Sequence, residues 1–266
     1  MGRGGAVTGL LLASQKGGVG KTSLSVSLAS VFAQSRRTLL VDVDPQGSAT
    51  HLFGVHPADR DLGWLLDMDE ERSPTDALVT EVCPGLDLLP ANNDSMLAAE
   101  SKLQTMVGGH RALQIILDDL TKQVGPYDVV VVDTPSNLGI MTVNGMCAVD
   151  WVVTPFELEG LSTMGVARIS DLLAKCRRMG LTKAQFLGLI ANQYEPRLAL
   201  TKIMEQQVAR TGLRCFLTKI PRTVRLREQT LLGRPLVLDS PDLPVSRTLT
   251  ELADEVLDAM KGGHAQ

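Results

Sequence analysis

Residues 14–22 read Ser14-Gln15-Lys16-Gly17-Gly18-Val19-Gly20-Lys21-Thr22, set between an apolar run at 7–13 and a helical pattern over 21–34. That context is what a phosphate-binding loop requires. Glycines at 17, 18 and 20 let the backbone curl so that successive N–H groups point inward, and the helix that begins at Lys21 adds its positive dipole end. Lys21 can then bridge β- and γ-phosphates while the Thr22 hydroxyl ligates Mg²⁺, with Ser23 following on the same first turn. A glycine-rich turn alone is weak evidence, but Gly-Lys-Thr between a strand and a helix is strong.

Outward from the loop, short apolar runs alternate with longer helical patterns, the sign of a mostly parallel sheet flanked by helices on both faces. Strands are expected at 7–13, 38–43, 86–90, 128–133, 151–155 and 186–192, with a weaker one at 215–220. They are rich in Val, Ile and Leu, as two-sided burial demands. Helices are expected at 21–34, 94–104, 109–124, 137–148, 161–179, 199–211, 224–232 and 246–260. Repeats, low-complexity tracts and dividing linkers are not evident, so residues 1–266 read as one α/β P-loop NTPase domain with 261–266 as a flexible tail. The irregular, acidic stretch 53–86 reads as short helices and loops over one sheet edge.

Two acidic motifs sit where ligands bind in such sheets, at the carboxyl ends of strands. One is Asp42-Val43-Asp44-Pro45 and the other Asp133-Thr134-Pro135, which closes the run Asp128-Val-Val-Val-Val.

The loop departs from the general phosphate-loop pattern in one respect: Gln15 stands at the first glycine position, and a second lysine, Lys16, follows it. Here the chain resembles the deviant Walker A ATPases of the ParA/MinD family, whose loop reads K-G-G-x-x-K-[ST]. Lys16 through Thr22 match at every fixed position. The resemblance implies a nucleotide-sandwich homodimer in which Lys16 reaches the partner's phosphates, making ATP part of the interface. It assigns Asp44 to the attacking water, Asp42 to the neighbourhood of the Mg²⁺ shell and Asp133 to Mg²⁺ through water. Asn192, in Ala191-Asn192-Gln193-Tyr194, would lie against adenine. The run Ile220-Pro221-Arg222-Thr223-Val224-Arg225-Leu226-Arg227-Glu228 resembles the I-P-R-x-V-R-L-x-E run of the partition branch, with Pro221 and Arg222 at the adenine pocket. The similarity spans residues 8–260. Two places depart from the family pattern: Ser136, where a second proline is common, and residues 155–160. Both lie near the nucleotide switch and bear on how an activator docks.

Composition sets the outer limits. Of 266 residues 44% are hydrophobic and 21% charged, which suits a soluble globular chain, and 26 Lys+Arg against 30 Asp+Glu give a net charge of −4. Bulk positive charge cannot drive nucleic-acid binding here. No apolar run reaches the roughly 18–20 residues of a membrane span, and Met1-Gly-Arg-Gly-Gly lacks the apolar stretch of a signal peptide, so a cytoplasmic location is expected. Cys83, Cys147, Cys176 and Cys215 are scattered singly and read as reduced thiols. His51, His56, His110 and His264 form no metal-like pair. Aromatics are only 3%, too few for a base-stacking platform.

Charge is nevertheless segregated. Between Arg197 and Arg234 the bases Arg197, Lys202, Arg210, Arg214, Lys219, Arg222, Arg225, Arg227 and Arg234 face only Glu205 and Glu228, so this window carries +7 and the remainder −11. Helical spacing is expected to put Arg222 and Arg225 on neighbouring turns, with Arg227 off that line. Two such faces in an ATP-dependent dimer would meet double-stranded DNA without sequence preference. The expected activity is therefore a weak, Mg-dependent ATPase of the ParA type. It would bind DNA from Arg197, Arg222, Arg225 and Arg227, associate with the nucleoid when ATP-bound, position a plasmid, chromosome or other cargo, and respond to a ParB-like partner. The alternatives are a MinD-like membrane-cycling ATPase and an electron-transfer ATPase resembling the nitrogenase iron protein. The first is disfavoured by the acidic tail and the second by the missing cysteine pair. With about a dozen residues before the loop, no helix-turn-helix segment is expected there.

Overall fold

The computed structural model describes residues 8–57, 59–157, 163–195 and 199–263. Its centre is a seven-stranded sheet made of β1 (Thr8–Leu12), β2 (Thr38–Asp42), β3 (Val79–Cys83), β4 (Leu86–Leu89), β5 (Val129–Asp133), β6 (Trp151–Glu157) and β7 (Gln185–Asn192). The order is β3-β4-β2-β5-β1-β6-β7, and every pairing is parallel except β3 against β4. The helices are α1 (Lys21–Ala33), α2 (Ser48–Leu52), α3 (Leu62–Leu65), α4 (Asn93–Thr105), α5 (Ala112–Val124), α6 (Ile140–Ala148), α7 (Thr163–Arg178), α8 (Ala199–Arg210), α9 (Arg225–Leu232), α10 (Leu236–Asp239) and α11 (Pro244–Gly263).

Strand periodicity sorts the core into two layers. Leu10, Leu12, Leu40, Val129 and Val131 face α1 and α11, while Leu11, Leu39, Val41, Val130 and Val132 face the opposite layer with Leu113 and Ile116 of α5 and Met141 and Met146 of α6. Side chains that alternate across a strand can fill both layers only if both are apolar, which is why these strands read as unbroken hydrophobic runs. The six principal strands and the eight helices expected from the sequence are all present, with ends shifted by a few residues.

Three expectations are corrected. The stretch 53–86 contains an edge strand, β3, paired antiparallel to β4 through a turn at Gly85. Its exposed Thr80 and Glu81 hide the strand signal, and a register shift with Glu81 at φ 51° interrupts the alternation. Residues 215–220 run beside β7 through Phe216 N–H to the Leu189 carbonyl and Ile220 N–H to the Ala191 carbonyl, both 2.9 Å, but form only an isolated bridge at Cys215. Helix α11 continues to Gly263, so residues 261–263 are helix rather than tail; 264–266 lie outside the described residues.

Candidate nucleotide site

The sheet brings its two acidic strand ends together. Asp42 and Asp133 are register partners on β2 and β5, and both are fully buried. The loop from β1 arrives beside them, because Leu12 is the register partner of Asp133 on the other side. Gly18 and Gly20 take left-handed conformations at φ 79° and 83°, and Gly20 caps α1. A Cβ at Gly20 would stand 2.2 Å from Asn192 Nδ2, so a side chain here must push the asparagine amide aside as well as bear the left-handed backbone.

Lys21 is 6% exposed, and its Nζ donates to Ser136 Oγ at 2.7 Å. Burial pushes its pKa down, while the charges of Asp133 and Asp44 resist the shift. Asp133 Oδ1 accepts a 2.7 Å bond from Ser25 Oγ, one helical turn beyond Lys21. Its Oδ2 is buried without a partner among the described residues. Burial raises the Asp133 carboxyl to about 6, against the hydrogen bond of Ser25, the nearby Thr22 hydroxyl and the charge of Lys21. A carboxylate with one oriented and one unfilled oxygen beside a threonine hydroxyl is a donor set suited to a hard divalent cation.

Asp42 is arranged differently. Its Oδ2 accepts from Thr50 N–H (2.9 Å) and Thr50 Oγ (2.8 Å), and its Oδ1 from Asp44 N–H (3.2 Å). Burial first, and then the Asp133 charge, push its carboxyl up to about 8. Three protein donors orient Asp42, so it braces the Asp44 turn, and as the register partner of Asp133 it stands beside the carboxylate that suits a cation. Asp44 is half-buried, with Oδ1 accepting from Gln46 N–H at 3.0 Å.

Lys16 is half-exposed and donates to Glu157 at the end of β6, 2.7 Å away. Glu157 also accepts from Gln193 Nε2, and Gln193 in turn reaches the Gly18 carbonyl at 3.2 Å. Lys16 and Glu157 border a cavity of about 390 Å³ that Ser14, Gln15, Thr154 and Phe156 also line. On the other side of the loop, Gly18, Gly20, Ser23, Asn192, Pro221 and Thr223 line a smaller one of about 90 Å³. Asn192 donates Nδ2 to the Val19 carbonyl at 2.8 Å, and its buried Oδ1 has no partner among the described residues. A buried acceptor left open in this way suits an amine donor. Gly17 and the buried Val19 complete the loop.

The basic segment is less uniform than its sequence implies. Arg222 precedes α9 in the extended stretch at Pro221, so it does not share helical turns with Arg225 as the spacing predicts. Arg222 pairs with Glu195 at 2.9 Å, Arg225 with Glu228 at 3.1 Å, and Lys219 with Glu205. Arg197 lies outside the described residues, as does the side chain of Arg227. The sequence does not single out Ser25 or Thr50, and it marks Ser136 and the stretch 155–160 that holds Glu157 only as departures near the nucleotide switch, without their lysine partners. Ser25 leaves a local trace, one turn beyond Lys21 on the same helix.

Comparison with known proteins places this arrangement among relatives. The AAA domain family matches residues 8–186. The chain is 36% identical over 250 residues to the chromosome-partitioning ATPase Soj of Thermus thermophilus, covering 93% of this chain and 94% of that one. It is 30% identical over 260 residues to the chromosome partitioning protein ParA of Caulobacter vibrioides, covering 97% and 96%. Among solved structures, cobyrinic acid a,c-diamide synthase from Mycobacterium smegmatis with bound ATP analog and magnesium superposes with a TM-score of 0.80 at 31% identity, covering 97% of both chains.

Proposed function

The chain belongs to the ParA/MinD family of P-loop ATPases, and on that premise we propose that it is a Mg²⁺-dependent ATPase of the ParA type that dimerises on ATP and binds DNA. The observation that carries the reading is the pairing of two lysines on one loop. Lys21 is buried against the acidic strand ends, whereas Lys16 is half-exposed on the side of β6. A lysine so placed cannot duplicate the work of Lys21 in its own site. It suits charge donation to a second chain's phosphates.

Residues take roles that follow from their surroundings. The loop amides of Gly17 to Thr22 and Ser23 cradle the phosphates, and Asn192, Pro221 and Arg222 border the base. Thr22 and Asp133 fit Mg²⁺, because the Asp133 Oδ2 is buried and unfilled beside the Thr22 hydroxyl. When bound, the ion supplies charge neutralisation at the β- and γ-phosphates. Asp44, at the end of a turn braced by Asp42, orients the attacking water. Such chemistry is mostly positioning, so basal turnover is slow and a ParB-like partner completes the site.

DNA phosphates are met by Arg225 and its neighbours, on one face per protomer. Exposed ion pairs such as Arg225 with Glu228 are worth little and exchange readily for a phosphate. ATP-bound dimers would thus associate with the nucleoid and position a replicon or another cargo. Two observations weigh against the alternatives. Helix α11 buries its apolar face, including Leu249, Leu252 and Val256, in the core against α1, which removes it as a membrane anchor; no helix among the described residues is long and apolar enough to cross a membrane. Cys83 packs into the core layer of α1 and α11, while the neighbours of Cys147 on α6 pack into the opposite layer, so the two cannot share one cluster.

The test is DNA binding with ATP, ADP or no nucleotide across a salt series. Binding that requires ATP and weakens steeply with salt is expected. Equal binding in all three states overturns the proposal. ATP turnover in the absence of any carboxylate substrate separates it from the amide-forming chemistry that the name of the M. smegmatis enzyme describes.

A further inference from the structure

We propose that Ser136 is a specificity-determining residue of the nucleotide site: its hydroxyl reads the γ-phosphate and separates ATP from ADP. This rests on the nucleotide reading above and goes beyond it. Ser136 follows Asp133-Thr134-Pro135, and its Oγ accepts from Lys21 Nζ at 2.7 Å across 115 residues of sequence. The same oxygen lies 3.8 Å from where a Cβ on Gly17 would stand, so it overhangs the mouth of the loop between Gly17 and Lys21.

A serine hydroxyl has one proton to donate and two lone pairs. Lys21 takes one lone pair, and the proton has no acceptor among the described residues. The side chain is exposed towards the space above the loop. An ammonium has three donors, so Lys21 can keep Ser136 and still contact two phosphate oxygens. A γ-phosphate held by Lys21 then lies within reach of the Ser136 proton, and the hydroxyl both accepts from the lysine and donates to the phosphate. A diphosphate ends short of that position and leaves the proton to water. Proline, common at this place in the proteins the chain resembles, has no such group.

Ser136 is also connected through a short turn to the start of α6. It leads into a turn closed by Gly139 N–H on Asn137 Oδ1 (2.9 Å) and by Thr142 Oγ on the Asn137 carbonyl (2.7 Å), which fixes the start of α6. A hydrogen bond gained at Ser136 is thereby passed to a helix end.

The experiment compares the full-length wild type with Ser136→Ala, Ser136→Thr and Ser136→Pro. Affinities for a non-hydrolysable ATP analogue and for ADP, each with Mg²⁺, are measured side by side. A hydrogen bond to a charged group predicts that Ser136→Ala and Ser136→Pro lose about tenfold in analogue affinity with ADP affinity unchanged. Ser136→Thr restores the preference, because it returns the hydroxyl. Equal losses for both nucleotides would mean that Ser136 acts only by holding Lys21, and unchanged affinities would mean that it reads nothing; either result overturns the inference. A wild type that binds neither nucleotide overturns the nucleotide reading itself, which the wild-type arm reports separately.

Discussion

Lys16 is tied within its own chain to Glu157, 2.7 Å away, although the two are 141 residues apart in sequence. The lysine that the proposed dimer needs in trans is thus held in cis, by a pair whose lysine is about half exposed. Pairs of this exposure contribute at most about 1 kcal/mol, so the tether is easily broken. Glu157→Gln should therefore shift dimer formation to lower ATP concentration by up to about fivefold, in sedimentation measurements with a non-hydrolysable analogue. Lys16→Ala should abolish the dimer while changing monomer nucleotide affinity far less. A normal dimer from Lys16→Ala would refute the sandwich arrangement.

Gly20 and Asn192 define a second relationship. The glycine is left-handed at φ 83°, and the asparagine amide occupies the space a Cβ would need while bonding the Val19 carbonyl. Gly20→Ala combines a strained backbone with a steric conflict and is expected to cost about 2–4 kcal/mol in urea unfolding. The double variant Gly20→Ala/Asn192→Ala should recover part of that stability, because the conflict is gone and only the strain remains.

Much of this was legible in the chain itself, for definite reasons. The phosphate loop is a local signal, and Asp42 and Asp133 close apolar runs whose period and length mark buried strands. What could not be read is what the fold alone brings together. Ser25 meets Asp133 across 108 residues, Lys21 meets Ser136 across 115, and Lys16 meets Glu157 across 141. Serines and glutamates are common, and nothing near them in sequence marks their partners. Strand β3 escaped because an edge strand with exposed Thr80 and Glu81 presents too little alternation. Sequence shows the Asp42 carboxylate but not Thr50, which donates to it twice.

The Asp42 and Asp133 pair predicts a pH dependence. Both carboxyls are raised by burial, to about 8 and about 6, above the ordinary 3.8 of the unfolded chain. Between about pH 4 and pH 8 the folded chain therefore binds more protons than the unfolded one, so stability falls as pH rises through that window. Nucleotide-free protein should show a declining urea midpoint from pH 5.5 to 8.5. Asp42→Asn keeps an acceptor for Thr50 and removes one like charge, and it should flatten the decline. A rising midpoint over this range would contradict the arrangement.

Asp44 separates binding from chemistry. Its turn is braced by Asp42 and its carboxylate also holds Gln46 N–H. Asp44→Ala should leave ATP affinity within about threefold and permit the dimer, while lowering turnover at least about a hundredfold, as expected for loss of a group that positions the nucleophile. The ATP-loaded form would then persist on DNA. A variant that stays monomeric with ATP would place Asp44 in assembly instead.

The basic segment makes the last prediction, and its ion pairs sharpen it. Among the described residues the Arg225 guanidinium is held only by Glu228 three residues on, in an exposed pair, whereas Arg222 is paired with Glu195 beside Tyr194 and the small cavity at Pro221 and Asn192. Release of a phosphate contact lowers the slope of log K against log salt by about one per contact. A dimer carrying Arg225→Ala on both protomers should therefore lose about two units of slope with dimerisation unchanged. Arg225→Glu should go further and abolish DNA binding, because a carboxylate replaces the contact. Arg222→Ala should instead disturb nucleotide affinity more than the salt slope, since this residue sits before α9 and beside the base side of the loop. If the Arg225 variants bind DNA with the wild-type slope, the face that meets the phosphates lies elsewhere on the chain.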